Sequence, residues 1–241
     1  MNQTNVKSAS IGTARQAGLW YLGLAITGVI GFMYLHPQIF VSGDDQKTLA
    51  NLAAQENLAR VRLIFEMLIV VTQALAALYF FRLFREILPW AAWATGVWGM
   101  VNAVAIMFSA MSIAAAIEIA NSDSLLHQDK LLLFQLCKQY ISHSWGVGSL
   151  FFGLWLIPMG YAVVYSGRMP VWLGRVLIIG GIGYILSPMI GYMGVKSPLL
   201  EILVIPASIG EFWMIGYLLR YGIRPPAEHA PSELQPVLQQ R

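Results

Sequence analysis

A glutamate inside the last long apolar run is the residue of this chain best placed to do chemistry. The run covers residues 199–221 and contains Glu201 near its start and Glu211 past its middle. If the run is a helix, Glu211 lies about 18 Å from one end, within a hydrocarbon core about 30 Å thick. Because a carboxylate at that depth must be partnered or neutralised, Glu211 predicts a polar site inside a membrane protein, with Glu211 as its buried charge or proton carrier.

Other polar side chains lie in the second and third apolar runs and can surround Glu211. Arg62, Glu66 and Gln73 are separated by four and seven residues, so they share one face of a helix, and that face cannot point at lipid. We expect Arg62 and Glu66 to form a coupled pair one helical turn apart. Asn102 is the strongly polar group inside the third run.

A hypothetical ligand-binding set follows from these positions, with His143 as a gate near the mouth. Its members are Glu211, Glu66, Arg62, His143, Arg60, Gln73, Asn102 and Glu201. A structural interpretation stays open for several of them. Glu211 can be protonated and bonded to a carbonyl near Pro206, Arg60 and Arg62 can anchor a helix at the membrane interface, and His143 can cap a helix.

The composition decides the fold class. Hydrophobic residues make up 57% of the chain and charged residues 11%, against about 25% charged in soluble proteins. Six apolar runs, at about 17–35, 58–84, 90–117, 141–165, 172–192 and 199–221, predict an all-α, integral membrane six-helix transmembrane bundle. We divide the chain into a cytoplasmic segment (1–14), the six-span domain (15–223) and a disordered cytoplasmic tail (224–241).

Two short amphipathic external helices are predicted between the spans. Asp44 is placed to cap the first, and the second falls within residues 118–140. Prolines 158, 188 and 206 predict bends inside spans four, five and six. Glycines 146, 153, 160 and 167 recur every seven residues and predict close helix packing along span four. Aromatic residues near span ends predict the interfacial belts, namely Trp20, Trp90, Trp93, Trp145, Trp172 and Tyr192.

The basic residues indicate the orientation in the membrane. Of 15 lysines and arginines, nine fall on the side of the N-terminus and six on the other side. Arg60 and Arg62, among those six, sit at a helix end from which they can snorkel. The excess predicts that both termini are cytoplasmic, in a bacterial cytoplasmic (inner) membrane. The polar groups then populate the outer half and the middle of the bundle, as an outward-facing pocket would require.

Several classes of chemistry find no support in the sequence. Cys137 is the single cysteine, so an internal disulfide and a cysteine-based zinc site are excluded. Ser149 is followed by Leu150 rather than by the glycine of a rhomboid-type protease, and the sixth span lacks a histidine. We therefore assign no catalytic residue, no metal ligand and no cofactor, and the scattered basic residues do not indicate nucleic-acid binding.

Several short motifs carry a resemblance to a known family. They are Ala17-Gly18-Leu19-Trp20-Tyr21-Leu22, Ser42-Gly43-Asp44, Phe152-Gly153, Ser166-Gly167-Arg168-Met169-Pro170-Val171-Trp172-Leu173-Gly174, Gly183-Tyr184 and Ile209-Gly210-Glu211-Phe212-Trp213. With these motifs in this order, the chain resembles the bacterial membrane family catalogued as domain of unknown function number forty-three eighty-six. The resemblance implies a six-helix integral membrane protein with Glu211 and Pro170 in shared motifs, and it implies no established activity.

Three functions are compatible with these observations. The first is the binding or transport of a small molecule or lipid in an outward-facing polar pocket. The second is a membrane subunit or regulator that acts through a helix-packing partner, including a second copy of the chain. The third is an intramembrane enzyme that uses Glu211 and Glu66 as acid and base, for which no nucleophile or metal set is in sight.

Overall fold

The computed structural model describes residues 3–224, with side chains described from residue 11, and every regular element in this range is helical. The helices are α1 (Gln3–Gly28), a π-helical continuation (Val29–Leu35), α2 (His36–Ile39), α3 (Asp45–Ala54), α4 (Glu56–Phe84), α5 (Pro89–Asn121), α6 (His127–Ser166), α7 (Val171–Tyr192), α8 (Leu199–Ile202) and α9 (Ile205–Tyr221). The predicted disordered tail falls almost wholly at residues 225–241, outside the described residues.

Six helical stretches are long and apolar enough to cross a membrane. They are Ile11–Ile39, Glu56–Phe84, Pro89–Asn121, His127–Ser166, Val171–Tyr192 and Leu199–Tyr221. The all-helical six-span prediction is therefore confirmed, and the chain is a multi-pass membrane protein. Each span packs against the next along the chain, and α9 returns to pack against α1, so the six spans form a closed ring.

The first external helix forms as predicted and packs at one end of the ring. The Asp44 carboxylate caps α3 by accepting a hydrogen bond from the backbone N–H of Lys47 at 2.8 Å. The helix buries Leu49 and Leu52 against residues of α4, α5 and α6 rather than lying on the membrane alone.

The second external helix is not a separate element, and this prediction was wrong. Residues 127–140 are the first turns of α6, which continues unbroken to Ser166. No proline interrupts this stretch before Pro158, so nothing in the backbone forces a break. Phe134 and Cys137 pack into the cluster that also holds α3, and this contact supports the extension beyond the other spans.

The glycine repeat of span four packs inside the chain. A side chain at Gly153 would collide with the backbone carbonyl of Gly181, and one at Gly160 would collide with that of Gly174, so α6 and α7 approach each other as closely as backbones allow. Gly167 ends α6 in the left-handed conformation, with φ of 60°.

The first and last spans differ from the prediction in detail. The backbone is already helical from Gln3, so α1 begins well before residue 17, where we predicted the first apolar run to start. The sixth span is broken at Leu203 and Val204, and Pro206 lies in the first turn of α9 rather than inside a helix. A proline in that position removes no hydrogen bond, because the first N–H groups of a helix lack partners anyway. Pro158 and Pro188 do lie inside α6 and α7.

Candidate functional site

A buried ion pair lies on α4, where the sequence predicted it. Nη1 of Arg62 donates to Oε2 of Glu66 at 2.7 Å, and both side chains are fully buried, with 0% exposure. The four-residue spacing sets this contact, because residues one turn apart face the same way. The pair is neutral as a whole, which lowers the cost of placing two charges inside an apolar bundle.

The second oxygen of Glu66 binds two neighbouring helices. Oε1 accepts a hydrogen bond from the Ser109 hydroxyl on α5 at 2.5 Å and another from the Trp145 indole on α6 at 2.9 Å. The Trp145 indole also lies 3.1 Å from the Ser109 hydroxyl. Glu66 is therefore held by three donors from three helices.

Neither Ser109 nor Trp145 was in the predicted set. Ser109 lies seven residues after Asn102, hence on the same face of α5, and this spacing was the available signal. Trp145 was interpreted as part of the interfacial belt, but its indole N–H points into the bundle and bonds Glu66. An aromatic residue near a predicted span end cannot be assigned to the interface until the helix rotation is known.

Arg62 also contacts an aromatic ring of the π-helical segment. Its guanidinium carbon lies 4.7 Å from the centre of the Phe32 ring, a cation–π geometry. The Phe32 ring meets the Trp145 indole edge to face, with centroids 4.5 Å apart. Phe32 and Trp145 therefore form one wall that touches both members of the ion pair.

Gln73 and Asn102 are buried but do not join the ion pair. The Gln73 amide donates to the backbone carbonyl of Gly99 at 3.2 Å, which ties α4 to α5. Both amide atoms of Asn102 lack a hydrogen-bond partner among the described residues. The two side chains thus occupy the predicted interior without contacting Glu66.

Glu211 is bonded to the first span. The Tyr21 hydroxyl donates to Oε1 of Glu211 at 2.7 Å. The Tyr21 ring is fixed by stacking on Trp155, with centroids 5.6 Å apart, and by an edge contact with Phe80 at 5.4 Å. Tyr21 was quoted in a motif but was not predicted as a site residue. Its position opposite Glu211 follows from the closure of α9 onto α1.

Glu211 and Tyr21 face a partly open cavity of about 170 Å³. The remaining lining is apolar or aromatic and comes from α1, α4, α6, α9 and the π-helical segment: Leu24, Ala25, Phe32, Ile69, Trp145, Phe152, Phe212 and Ile215. Phe32 and Trp145 therefore line this cavity and also contact the ion pair. Glu211 has an acceptor oxygen available at an otherwise apolar surface, so the cavity can hold a hydrogen-bond donor or a cationic group, or exchange a proton with it.

Three predicted residues lie outside this site. Arg60 is exposed and pairs with Glu56, His143 is exposed and bonds the Tyr192 hydroxyl at 2.8 Å, and Glu201 is exposed on α8. None of these three lines the cavity. Their residue types suggested a role, but Arg60 and Glu201 lie near helix ends where water or headgroups can solvate them, and His143 lies on the exposed face of α6. Within residues 3–224 the structure contains no group of three His, Cys, Asp or Glu side chains arranged to hold a metal.

One family model matches most of the chain. It is described as a domain of unknown function and covers residues 16–222. An uncharacterized protein of Archaeoglobus fulgidus is 32% identical over 69 residues, which are 29% of this chain and 43% of that protein. No solved structure matches the chain. The function therefore has to be inferred from the cavity and the groups around it.

Proposed function

This chain belongs to the DUF4386 family, as its motifs predicted, and since that family is described only as a domain of unknown function, we propose a function from the cavity. The protein binds a small, largely apolar molecule or a lipid inside the helix ring, and Glu211 with Tyr21 holds its polar group. The observation that carries this proposal is the Glu211 carboxyl, bonded to Tyr21 at 2.7 Å, at the wall of an otherwise apolar cavity.

The size of the cavity limits what binds there. A volume of about 170 Å³ is close to the roughly 150 Å³ of an engineered cavity that accommodates benzene, and drug-sized ligands need about 300 Å³ or more. Either the ligand is very small, or one end of a longer molecule enters. A longer molecule can enter because the cavity is partly open, and Phe212, which lines it, is 59% exposed.

The opposite end of the α1 and α9 seam is closed by direct packing. Gly18 of α1 lies against Leu218 and Leu219 of α9, and Gly222 lies against Ile11. The basic residues support an orientation with both termini in the cytoplasm, in a bacterial inner membrane. In that orientation the closed end faces the cytoplasm and the cavity lies toward the outside. Transport would require α1 and α9 to move apart at Gly18. We therefore propose binding and not transport.

The two alternative functions have less support. The glycines expected to dock a partner, Gly153 and Gly160, pack against Gly181 and Gly174 of the same chain. An enzyme using two carboxylates would need Glu66 and Glu211 to face one substrate, but Glu66 does not line the cavity, and Arg62, Ser109 and Trp145 already hold its two oxygens. Ligand binding uses the groups as they are arranged.

Native mass spectrometry of the protein purified in a neutral detergent tests the proposal. We expect the wild-type chain to retain a bound small molecule or lipid, and Glu211→Gln to lose it because an amide replaces the carboxyl group that faces the cavity. The matched control is Glu201→Gln, the same chemical change on the same span at an exposed position. Equal retention by Glu211→Gln and wild type would disprove a role for Glu211 in binding.

A further inference from the structure

The guanidinium of Arg62 has an unused edge. Only Nη1 bonds Glu66, while Nε and Nη2 have no hydrogen-bond partner among the described residues, although the side chain is fully buried. Most buried polar groups in proteins are hydrogen-bonded, and a buried charged donor without an acceptor is costly. The Nε–H bond and one Nη2–H bond lie in the guanidinium plane along the same edge, as a fork of two parallel donors.

The shortage of partners is confined to the positive member of the ion pair. The Glu66 carboxylate accepts from Arg62, Ser109 and Trp145, so it has little need of a further donor. Arg62 cannot use Nε and Nη2 to form a second hydrogen bond to Glu66, because the other Glu66 oxygen already accepts from α5 and α6. The free donors therefore persist as long as Glu66 keeps its three partners.

A second unused polar atom lies beside the same ring. Nδ1 of His36 is buried without a partner among the described residues. The His36 ring packs near Phe32, with centroids 6.1 Å apart, and Phe32 also contacts Arg62. Phe32 and Arg62 come from the π-helical segment and α4, and His36 begins α2. Such π-helical interruptions are often found at functional sites.

We propose that the Nε and Nη2 edge of Arg62, with His36 beside it, binds an oxyanion of the carboxylate or phosphate class. Two parallel N–H donors match two oxygens of such a group, and lysine cannot reproduce this geometry. Because Phe32 lines the cavity on one side and contacts Arg62 on the other, the oxyanion site borders the cavity. Resting on the proposed function, one further step follows: an anionic amphiphile places its charged group at Arg62 and its apolar part in the cavity, whereas a neutral ligand places its polar group against Glu211.

Binding of four probes to the purified full-length protein in a neutral detergent tests the site. The probes are decanoate, decyl phosphate, decanol and inorganic phosphate, and the measurement is the Kd by isothermal titration calorimetry. For the wild type we expect decanoate and decyl phosphate to bind about tenfold or more tightly than decanol, as a charge-assisted pair of hydrogen bonds would give. Equal affinity of decanol and the two anions for the wild type would overturn the proposal even if no variant folds.

The variant arm is Arg62→Lys, which keeps the charge beside Glu66 and removes the fork. We expect it to lose the preference for the anions, while Arg60→Lys, an exposed arginine two residues earlier, keeps that preference. An anion preference retained by folded Arg62→Lys would also overturn the proposal. Competition by inorganic phosphate against decanoate supports a site for free ions, and its failure to compete supports a site for amphiphiles.

The Glu211→Gln variant separates this inference from the proposed function. We expect Glu211→Gln to weaken decanol, whose hydroxyl donates to Glu211, and to leave the Kd of decanoate, which is held by Arg62, nearly unchanged. If Glu211→Gln changes neither Kd while Arg62→Lys abolishes the anion preference, the oxyanion site stands and the proposed role of Glu211 fails.

Discussion

The bundle holds two interior carboxylates, Glu66 and Glu211, and it treats them differently. Glu66 has 0% exposure and accepts hydrogen bonds from Arg62, Ser109 and Trp145. Glu211 has one hydrogen-bond donor among the described residues, Tyr21, and faces a cavity. Each lies inside a membrane span, so sequence position alone does not tell them apart.

The number of partners separates a structural role from a functional one. A carboxylate offers about four acceptor positions, and three donors occupy most of those on Glu66. Glu66 thereby ties α4, α5 and α6 together, and it has little capacity left for a ligand. Glu211 keeps acceptor capacity on the side of the cavity. An ionisable residue at membrane depth is thus a functional candidate only to the extent that the protein leaves it unsatisfied.

The largest expected effect is the difference in lost stability between glutamate-to-alanine substitutions at positions 66 and 211. Glu66→Ala leaves Arg62 charged, buried and unpaired, and we expect it to lower the free energy of unfolding by about 3–5 kcal/mol. Glu211→Ala leaves the buried Tyr21 hydroxyl without its acceptor but strands no buried charge among the described residues, and we expect a smaller loss of about 1–2 kcal/mol. Unfolding in mixed micelles with increasing dodecyl sulfate measures both, with the exposed Glu201→Ala as control. Equal losses for Glu66→Ala and Glu211→Ala would erase the distinction.

The predictable part of this arrangement is local in the chain. The six spans, the Asp44 cap and the pairing of Arg62 with Glu66 depend on neighbours within one helical turn or on runs of apolar residues, and the sequence contains that information. The α6 extension was missed because it depends on packing against α3, an element distant in sequence. The break between α8 and α9 was missed because Pro206 was placed inside a continuous helix.

The partners of the two carboxylates depend on how the helices are rotated and which ones become neighbours. Ser109 reaches Glu66 across 43 residues and Tyr21 reaches Glu211 across 190. The apolar period of a span that is hydrophobic all round does not fix its rotation, so these contacts could not be assigned. His143 was selected for its residue type alone. The residue type does not indicate that the side chain is exposed at the bundle surface.

A smaller effect is expected when one of the three donors to Glu66 is removed. Ser109→Ala deletes a charge-assisted hydrogen bond but leaves Arg62 and Trp145 in place, so we expect a loss of about 1–3 kcal/mol in the free energy of unfolding. The matched control is Ser112→Ala on the same helix, whose hydroxyl bonds only the backbone carbonyl of Phe108. A Ser109→Ala loss no greater than that of Ser112→Ala would mean that Glu66 does not depend on α5.

The smallest effect is expected at an ion pair that water reaches. Lys138 of α6 donates to Asp45 at the start of α3 at 2.5 Å, with 41% and 25% of the two side chains exposed. This hydrogen bond holds the pKa of the Asp45 carboxyl below its usual value. A carboxyl with a lowered folded pKa adds stability above its unfolded pKa and loses it as the pH falls through the folded value. Lys138→Met should therefore cost about 0.5 kcal/mol at pH 7, and the difference from wild type should vanish as the pH falls well below about 4.

Unfolding curves of both proteins at the two pH values measure this, and a loss as large as that of Glu66→Ala would show that exposure does not set the strength of these pairs.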